Sequence, residues 1–201
     1  MMNVYILLDR SGSMESMWDE ALGSINGYVA ELPEKTNVFL AVFDTDYNVI
    51  RNTTAKKWTT ISREDATPRG GTRLFDSAAR IMYRALDDNA EKTVIVVMTD
   101  GFENSSLNFK QSDVKALSKT MEAKKWELLF LGANFDKVGD VAVNNFGVSA
   151  GKFADVKVGT MHDYMTTTLS SSTRAYAHAG TPVNLVDNNI DLEKFKIKST
   201  N

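Results

Sequence analysis

Short, almost uninterrupted apolar runs recur along this chain, at residues 4–8, 38–43, 93–98 and 127–131. A strand with one face in water alternates apolar and polar side chains, whereas a strand buried on both faces reads as a continuous apolar run. Parallel strands cannot be joined by tight turns, so each run calls for a crossover, and helical spacing is found between them. Met17, Ala21, Leu22, Ile25, Tyr28, Val29 and Leu32 mark an amphipathic helix closed by Pro33. Leu74, Ala78, Ile81, Met82, Ala85 and Leu86 mark a second. Val114, Leu117, Met121 and Ala123 mark a third, with Ser112 as its expected N-cap. The pattern predicts an α/β fold: a doubly wound, mostly parallel central sheet with helices on both faces, Rossmann-like in outline. Val49 and Ile50, beyond the turn Asp44-Thr45-Asp46, predict one short antiparallel edge strand.

Elsewhere the pattern is weaker. Residues 56–69 are polar, with Trp58 and Ile61 as isolated anchors, and read as irregular. Residues 136–146 read as a short helix stopped at Gly147, 152–158 as a last short strand, and 161–177 as a helix. That helix is rich in Thr and Ser, which are poor helix formers and suggest a mobile region. In the tail 181–201, Ile190, Leu192, Phe195 and Ile197 leave two outcomes open, a docked extension or a loose end. A length of 201 residues suits a single domain over 1–201, with a core from about 3 to 150 and an extension over 151–201.

Composition removes several classes of function. A formal net charge of −3 argues against a grip on nucleic acid through phosphate neutralisation; Lys56-Lys57 and Lys124-Lys125 read as solvated charges. Absence of cysteine excludes disulfides, zinc thiolates, iron–sulfur ligation and a thiol nucleophile. His162 and His178 stand far from other nitrogen ligands, which disfavours imidazole metal sites. The N-terminus shows no basic segment followed by a long apolar one, so the expectation is a cytoplasmic protein without a membrane partner. On that expectation the sequons at Asn52 and Asn104 are chance matches.

Chemistry concentrates where strands end. Asp9-Arg10-Ser11-Gly12-Ser13 follows the first strand directly and offers one carboxylate and two hydroxyls at alternate positions. Gly70-Gly71-Thr72 leads into the second helix, its glycines allowing a tight turn that carries Thr72 close to another segment. Thr99-Asp100-Gly101 closes the third long apolar run. In open α/β sheets ligands bind at the carboxyl ends of the strands. Hard oxygens gathered there suit Mg²⁺, which takes six oxygen ligands and tends to keep waters. Ser11, Ser13 and Thr72 would be direct neutral ligands.

Asp9, Ser11 and Ser13, then Thr72, then Asp100 resemble the metal-ion-dependent adhesion site of the von Willebrand factor type A family. That motif runs DxSxS, a distant Thr and a later Asp, and all five positions match. The likeness extends over residues 3 to about 150 and to the glycines before Thr72 and the Thr99-Asp100-Gly101 context. It implies bound Mg²⁺, alternatively Mn²⁺ or Ca²⁺, with Asp9 and Asp100 acting mostly through water or one of them binding directly, depending on the conformational state. It also implies a partner protein that donates a Glu or Asp to the ion. Intracellular bacterial and phage members serve as adaptors in larger assemblies, some with AAA+ ATPases.

Neighbours of the motif have two readings each. Arg10, Met14 and Arg73 are candidates for partner contact, although solvent exposure accounts for Arg10 and Met14 equally well. Glu103 and Asn104 follow Asp100 and are further candidates, with a non-contact role favoured. Asp44 and Asp46 read as turn chemistry, Asp76 as a first-turn helix residue favoured by the dipole, and Asp136 as a helix cap. The leading expectation is a non-enzymatic, metal-dependent protein-binding module. The alternatives are a metal-dependent hydrolase resembling phosphatases, or a metal-free structural adaptor. Against the hydrolase stand the lack of a Walker motif and of a histidine near the oxygens; Arg10-Ser11-Gly12 is also not a GxSxG elbow.

Overall fold

In the computed structural model, which describes residues 1–185, the apolar runs form one six-stranded sheet. Its strands are β1 (Met2–Asp9), β2 (Asn37–Phe43), β3 (Tyr47–Thr54), β4 (Lys92–Thr99), β5 (Glu127–Ala133) and β6 (Phe153–Val156), in the order β3-β2-β1-β4-β5-β6. All neighbouring pairs are parallel except β2–β3, the antiparallel edge that the sequence predicts. That edge strand is eight residues long rather than short, and a bulge at Leu40/Ala41 interrupts its pairing. Strand order reverses beside β1: the chain leaves it toward β2 and later returns on its other side as β4. Such a switch point opens a crevice at the carboxyl ends of the two strands.

Both faces are covered, as the unbroken apolar runs require. Alternate residues of β1 divide between the faces, since successive side chains of a strand point to opposite sides. Val4, Ile6 and Leu8 pack with α1 (Trp18–Ala30) and with the C-terminal helical stretch. That stretch runs as α5 (Met161–Tyr164), a π-helical turn (Met165–Leu169) and α6 (Ser170–Ala179). Tyr5 and Leu7 pack on the opposite face with α2 (Leu74–Asp88), α3 (Gln111–Ala123) and α4 (Val138–Asp140), which continues as a π-helical turn to Phe146. Each of these fully buried aliphatic side chains contributes about 1.5–3 kcal/mol relative to exposure.

Several element ends differ from expectation. The segment after Ser11 is a 3₁₀ helix (Gly12–Met17), and the α-helix proper starts only at Trp18 and ends at Ala30, before Pro33. Lys110, not Ser112, is the N-cap of α3: its amide donates to Asp113 Oδ2 at 2.8 Å and its carbonyl accepts the Asp113 amide at 3.0 Å. The N-cap of α4 is Lys137 rather than Asp136, and Gly147, at φ +71°, ends the π turn.

The Thr- and Ser-rich stretch is helical from Met161 to Ala179, longer than its propensity suggests, because tertiary contacts hold it. Glu20 on α1 accepts hydrogen bonds from the Gly159 and Met161 amides at its start, and the Tyr28 and Thr173 hydroxyls are 3.0 Å apart further along. Beyond α6, Val183 and Leu185 are buried, and the Leu185 amide bonds to the Gly151 carbonyl. Ile190, Leu192, Phe195 and Ile197 lie outside the described residues. Among the described residues no helix is long and apolar enough to cross a membrane.

Candidate metal centre

Asp9 is the last residue of β1 and is fully buried. One of its oxygens accepts the Ser11 amide at 2.7 Å and the other the Thr99 hydroxyl at 2.6 Å, the latter from the end of neighbouring β4. The Ser11 hydroxyl lies 3.1 Å from that of Ser13, which donates to Asp100 Oδ1 at 2.8 Å. Four of the five predicted oxygen-bearing residues thus stand in one tight polar cluster across the switch point.

Thr72, also buried, reaches this edge on the glycine loop. The Gly12 amide donates to the Gly70 carbonyl at 3.3 Å and the Arg69 amide to the Arg10 carbonyl at 2.7 Å, which ties that loop to the first motif. On the other side Asn104 pairs with the Thr72 backbone: its side-chain oxygen accepts the Thr72 amide at 2.9 Å, and its own amide donates to the Thr72 carbonyl at 3.1 Å. Gly70 takes φ +68°, which a side chain would strain, and a Cβ on Gly71 would meet Asn104 Oδ1 at 3.1 Å. The glycine pair therefore has two separate physical reasons.

Electrostatically the cluster is unbalanced. Burial pushes the Asp9 carboxyl up to about 6, against the opposing hydrogen bonds from Thr99 and Ser11, and the charge of Asp100 adds to the rise. Burial also raises Asp100, opposed by the Ser13 hydroxyl. Among the described residues neither carboxylate takes part in a salt bridge. An all-oxygen set of three hydroxyls and two uncompensated carboxylates suits a hard divalent cation. It is poor in acid groups: among the described residues no group of three or more His, Cys, Asp or Glu side chains is placed to hold a metal.

The flanking candidates divide. Arg10 and Met14, read as surface residues, are buried. Arg10 Nη2 donates to Asn48 Oδ1 at 2.6 Å, and its Nε lies 3.1 Å from Asp44 Oδ2, an ion-pair distance without hydrogen-bond alignment. The charge is buried because Asp44, itself fully buried at the end of β2, stands opposite it. Asp44 also accepts the Asp46 amide, the expected turn bond, and pairs with Arg69 at 2.8 Å. Met14 fills the core beneath the 3₁₀ turn. Arg73 is half-buried and donates from Nε to the Ser105 carbonyl. Glu103 accepts from the Phe75, Ser105 and Ser106 amides and the Ser106 hydroxyl, shaping the loop after β4. Asn104 is exposed beside Thr72.

Asp76 does more than sit near a helix dipole. Although burial raises its pKa, the Leu107, Phe109 and Asn108 amides and the Asn108 side chain bond to it and hold it below the ordinary carboxylate range. Thr99, read in the sequence only as context for Asp100, has a role of its own, and two residues escape the motif reading. Thr99 orients Asp9. Phe102 and Leu107 are large exposed apolar side chains in the loop that follows Asp100, 48% and 75% exposed. Their sequence signal is that they are apolar side chains, with Phe109, in a mostly polar loop.

Comparison with known proteins agrees with this architecture. The family model for the von Willebrand factor type A domain matches residues 3–170. A search of curated proteins finds no match. Among solved structures, the ArnB paralog VWA2 from Sulfolobus acidocaldarius is 15% identical, with TM-score 0.60, over 85% of this chain and 44% of that one. The vWF domain of the type V pili tip protein Mfa5 from Porphyromonas gingivalis is 9% identical, with TM-score 0.67, over 86% and 95%. Manganese-loaded TRAP protein from Plasmodium vivax is 15% identical, with TM-score 0.55, over 81% and 71%. The chain spans under half the length of the archaeal protein, and 42% of a von Willebrand factor type A protein from Catenulispora acidiphila. At these identities the structures bear on fold alone, but the family match covers most of the sequence. The chain belongs to the von Willebrand factor type A domain family.

Proposed function

We propose that this chain is a divalent-metal-dependent protein-binding module, not an enzyme. In this reading Asp9, Ser11, Ser13, Thr72 and Asp100 hold Mg²⁺ or Mn²⁺ and a partner protein completes the coordination with a Glu or Asp. The observation that carries it is the pair of carboxylates, Asp9 and Asp100, held at the switch point with the Ser11 and Ser13 hydroxyls and, among the described residues, without an ion pair to neutralise them.

When bound, the ion would supply a Lewis-acidic position for an external carboxylate. The chain's own residues do the rest. Ser11, Ser13 and Thr72 bring neutral oxygens, so ion charge is left over to attract an acidic group. Thr99 and the Ser11 amide fix the orientation of Asp9, and Asn104 fixes the Thr72 loop. No histidine approaches the cluster to move a proton, which favours binding over hydrolysis. A cytoplasmic adaptor role, with an AAA+ ATPase as one possible kind of partner, stays within this proposal.

Melting curves in EDTA and in millimolar Mg²⁺ or Mn²⁺ test it. The ion should raise the melting temperature of the wild type, and Thr72→Ala should remove the rise while the variant stays folded by circular dichroism. Equal melting of the wild type in both conditions overturns metal dependence in favour of the metal-free adaptor. Asp9-dependent hydrolysis of a phosphomonoester would overturn the binding role.

A further inference from the structure

The chain has eight arginines, at 10, 51, 63, 69, 73, 80, 84 and 174. Six of them form ion pairs with carboxylates. The remaining two, Arg73 and Arg80, have no carboxylate partner among the described residues, and both line one polar cavity of about 300 Å³. Its walls come from the turn after β2 (Thr45, Asp46), the start of β3 (Tyr47, Asn48), the first turns of α2 and Asn108 of the loop after β4. Arg73 spends only Nε, on the Ser105 carbonyl. Arg80 lies over the Tyr47 ring, 4.7 Å from its centroid, which orients its guanidinium without neutralising it.

The cavity's two acids are already satisfied. Asp46 pairs with Arg69 at 3.1 Å, and Asp76 takes three backbone amides and the Asn108 side chain. Among the described residues two guanidinium groups without a carboxylate partner therefore remain for an incoming anion, and guanidinium matches a carboxylate in a two-point fit. Arg73 follows Thr72 directly, so the cavity adjoins the proposed metal centre. Arg80 lies seven positions beyond Arg73, about 10 Å along the helix, a span covered by about three residues of extended peptide.

We propose that Arg73 and Arg80 form a second anchor, so that the partner segment is an acidic peptide presenting one carboxylate to the metal and another, a few residues away, to this cavity. The proposal rests on the metal-dependent reading for its first carboxylate. It adds that recognition requires a pair of acids. Loss of either guanidinium should weaken the doubly acidic segment and leave a singly acidic one unchanged.

The test uses the full chain in Mg²⁺ and two synthetic eight-residue peptides, one with a single central Glu and one with a second Glu three residues on. Titration calorimetry should show the two-acid peptide binding at least about tenfold tighter to the wild type, with the advantage lost in Arg80→Gln. Arg80→Lys should recover part of it. Arg80→Gln should keep the Mg²⁺-induced rise in melting temperature, since it bears no proposed metal ligand. Equal affinity of the two peptides for the wild type, or an advantage that survives Arg80→Gln, overturns the second anchor. Competition of inorganic phosphate for the cavity at micromolar concentration overturns it in favour of a small-anion site. Absence of the Mg²⁺-induced rise in the wild type marks failure of the metal reading itself, which is read separately from the peptide comparison.

Discussion

Replacing Asp9 by Asn should make the metal-free protein more stable, although it removes a residue of the proposed metal centre. Burial raises the Asp9 carboxyl from its ordinary 3.8 to about 6. Keeping it ionised in the folded state therefore costs about 3 kcal/mol at neutral pH. An Asn side chain has the same shape and carries no charge. Its oxygen can keep the Ser11 amide, and its NH₂ can donate to the Thr99 hydroxyl, whose proton then turns to the Gly101 carbonyl 3.2 Å away.

The sign with pH follows from the raised value. Between about 4 and 6 the folded wild type holds a proton that the unfolded chain releases. Wild-type stability therefore falls as pH rises through that window, and the group contributes nothing further above it. In EDTA, urea or thermal unfolding of Asp9→Asn against wild type should give equal stability near pH 4. By pH 7.5 the variant should gain up to about 3 kcal/mol, or about 6–12 °C in melting temperature for a domain of this size. Added Mg²⁺ should then stabilise the wild type and not the variant. A variant less stable than wild type at pH 7.5 in EDTA, or a difference that ignores pH between 4 and 7, refutes the argument.

Three further outcomes concern the scaffold. Gly132→Ala should destabilise by about 2 kcal/mol or more, because a Cβ there would sit 2.6 Å from the Phe135 carbonyl and 2.7 Å from Val138 Cβ; denaturant titration measures it. Glu127→Gln should cost roughly 3 kcal/mol by leaving the largely buried Lys152 ammonium without its charge partner, and Glu127→Leu with Lys152→Met should recover most of that loss in the same titration. Asp76→Ala should release the amides of residues 107–109, speeding their hydrogen exchange at least tenfold, and should weaken Mg²⁺ binding by loosening the loop that carries Asn104.

The sheet and its covering helices were legible because their cause is local: unbroken apolar runs, with 3.6-residue spacing between them. The meeting of Asp9, Ser11, Ser13 and Asp100 is legible because strand ends mark all of them. What escaped was decided by distant partners. Arg10 reads as a surface charge until Asp44, 34 positions away, is seen buried opposite it. Ser112 is a good N-cap by type, yet the reciprocal bond between Lys110 and Asp113 moves the cap by two residues. The Ser- and Thr-rich helix looked weak because its support comes from Glu20 and Tyr28, more than a hundred residues upstream. Phe102 and Leu107 belong to no motif, and it takes their exposure to set them apart from apolar residues that turn inward.

The meeting of the buried pair Arg10 and Asp44 with the exposed Arg69 has a mechanical consequence. Arg10 lies inside the first motif, Asp44 closes β2, and Arg69 opens the glycine loop, so one carboxylate clamps three connections at a single point. With the backbone bonds Arg10–Phe43 and Arg69–Arg10 added, the loop bearing Ser11 and the loop leading to Thr72 move as one piece or not at all. On the proposed reading, an arriving ion would meet loops already in place and lose little of its binding free energy to ordering them. Any shift it did impose would travel outward through Arg10 to Asn48 on β3, the wall of the arginine cavity. Filling one anchor could thus alter the fit of the other through a rigid lever rather than through a loosened loop.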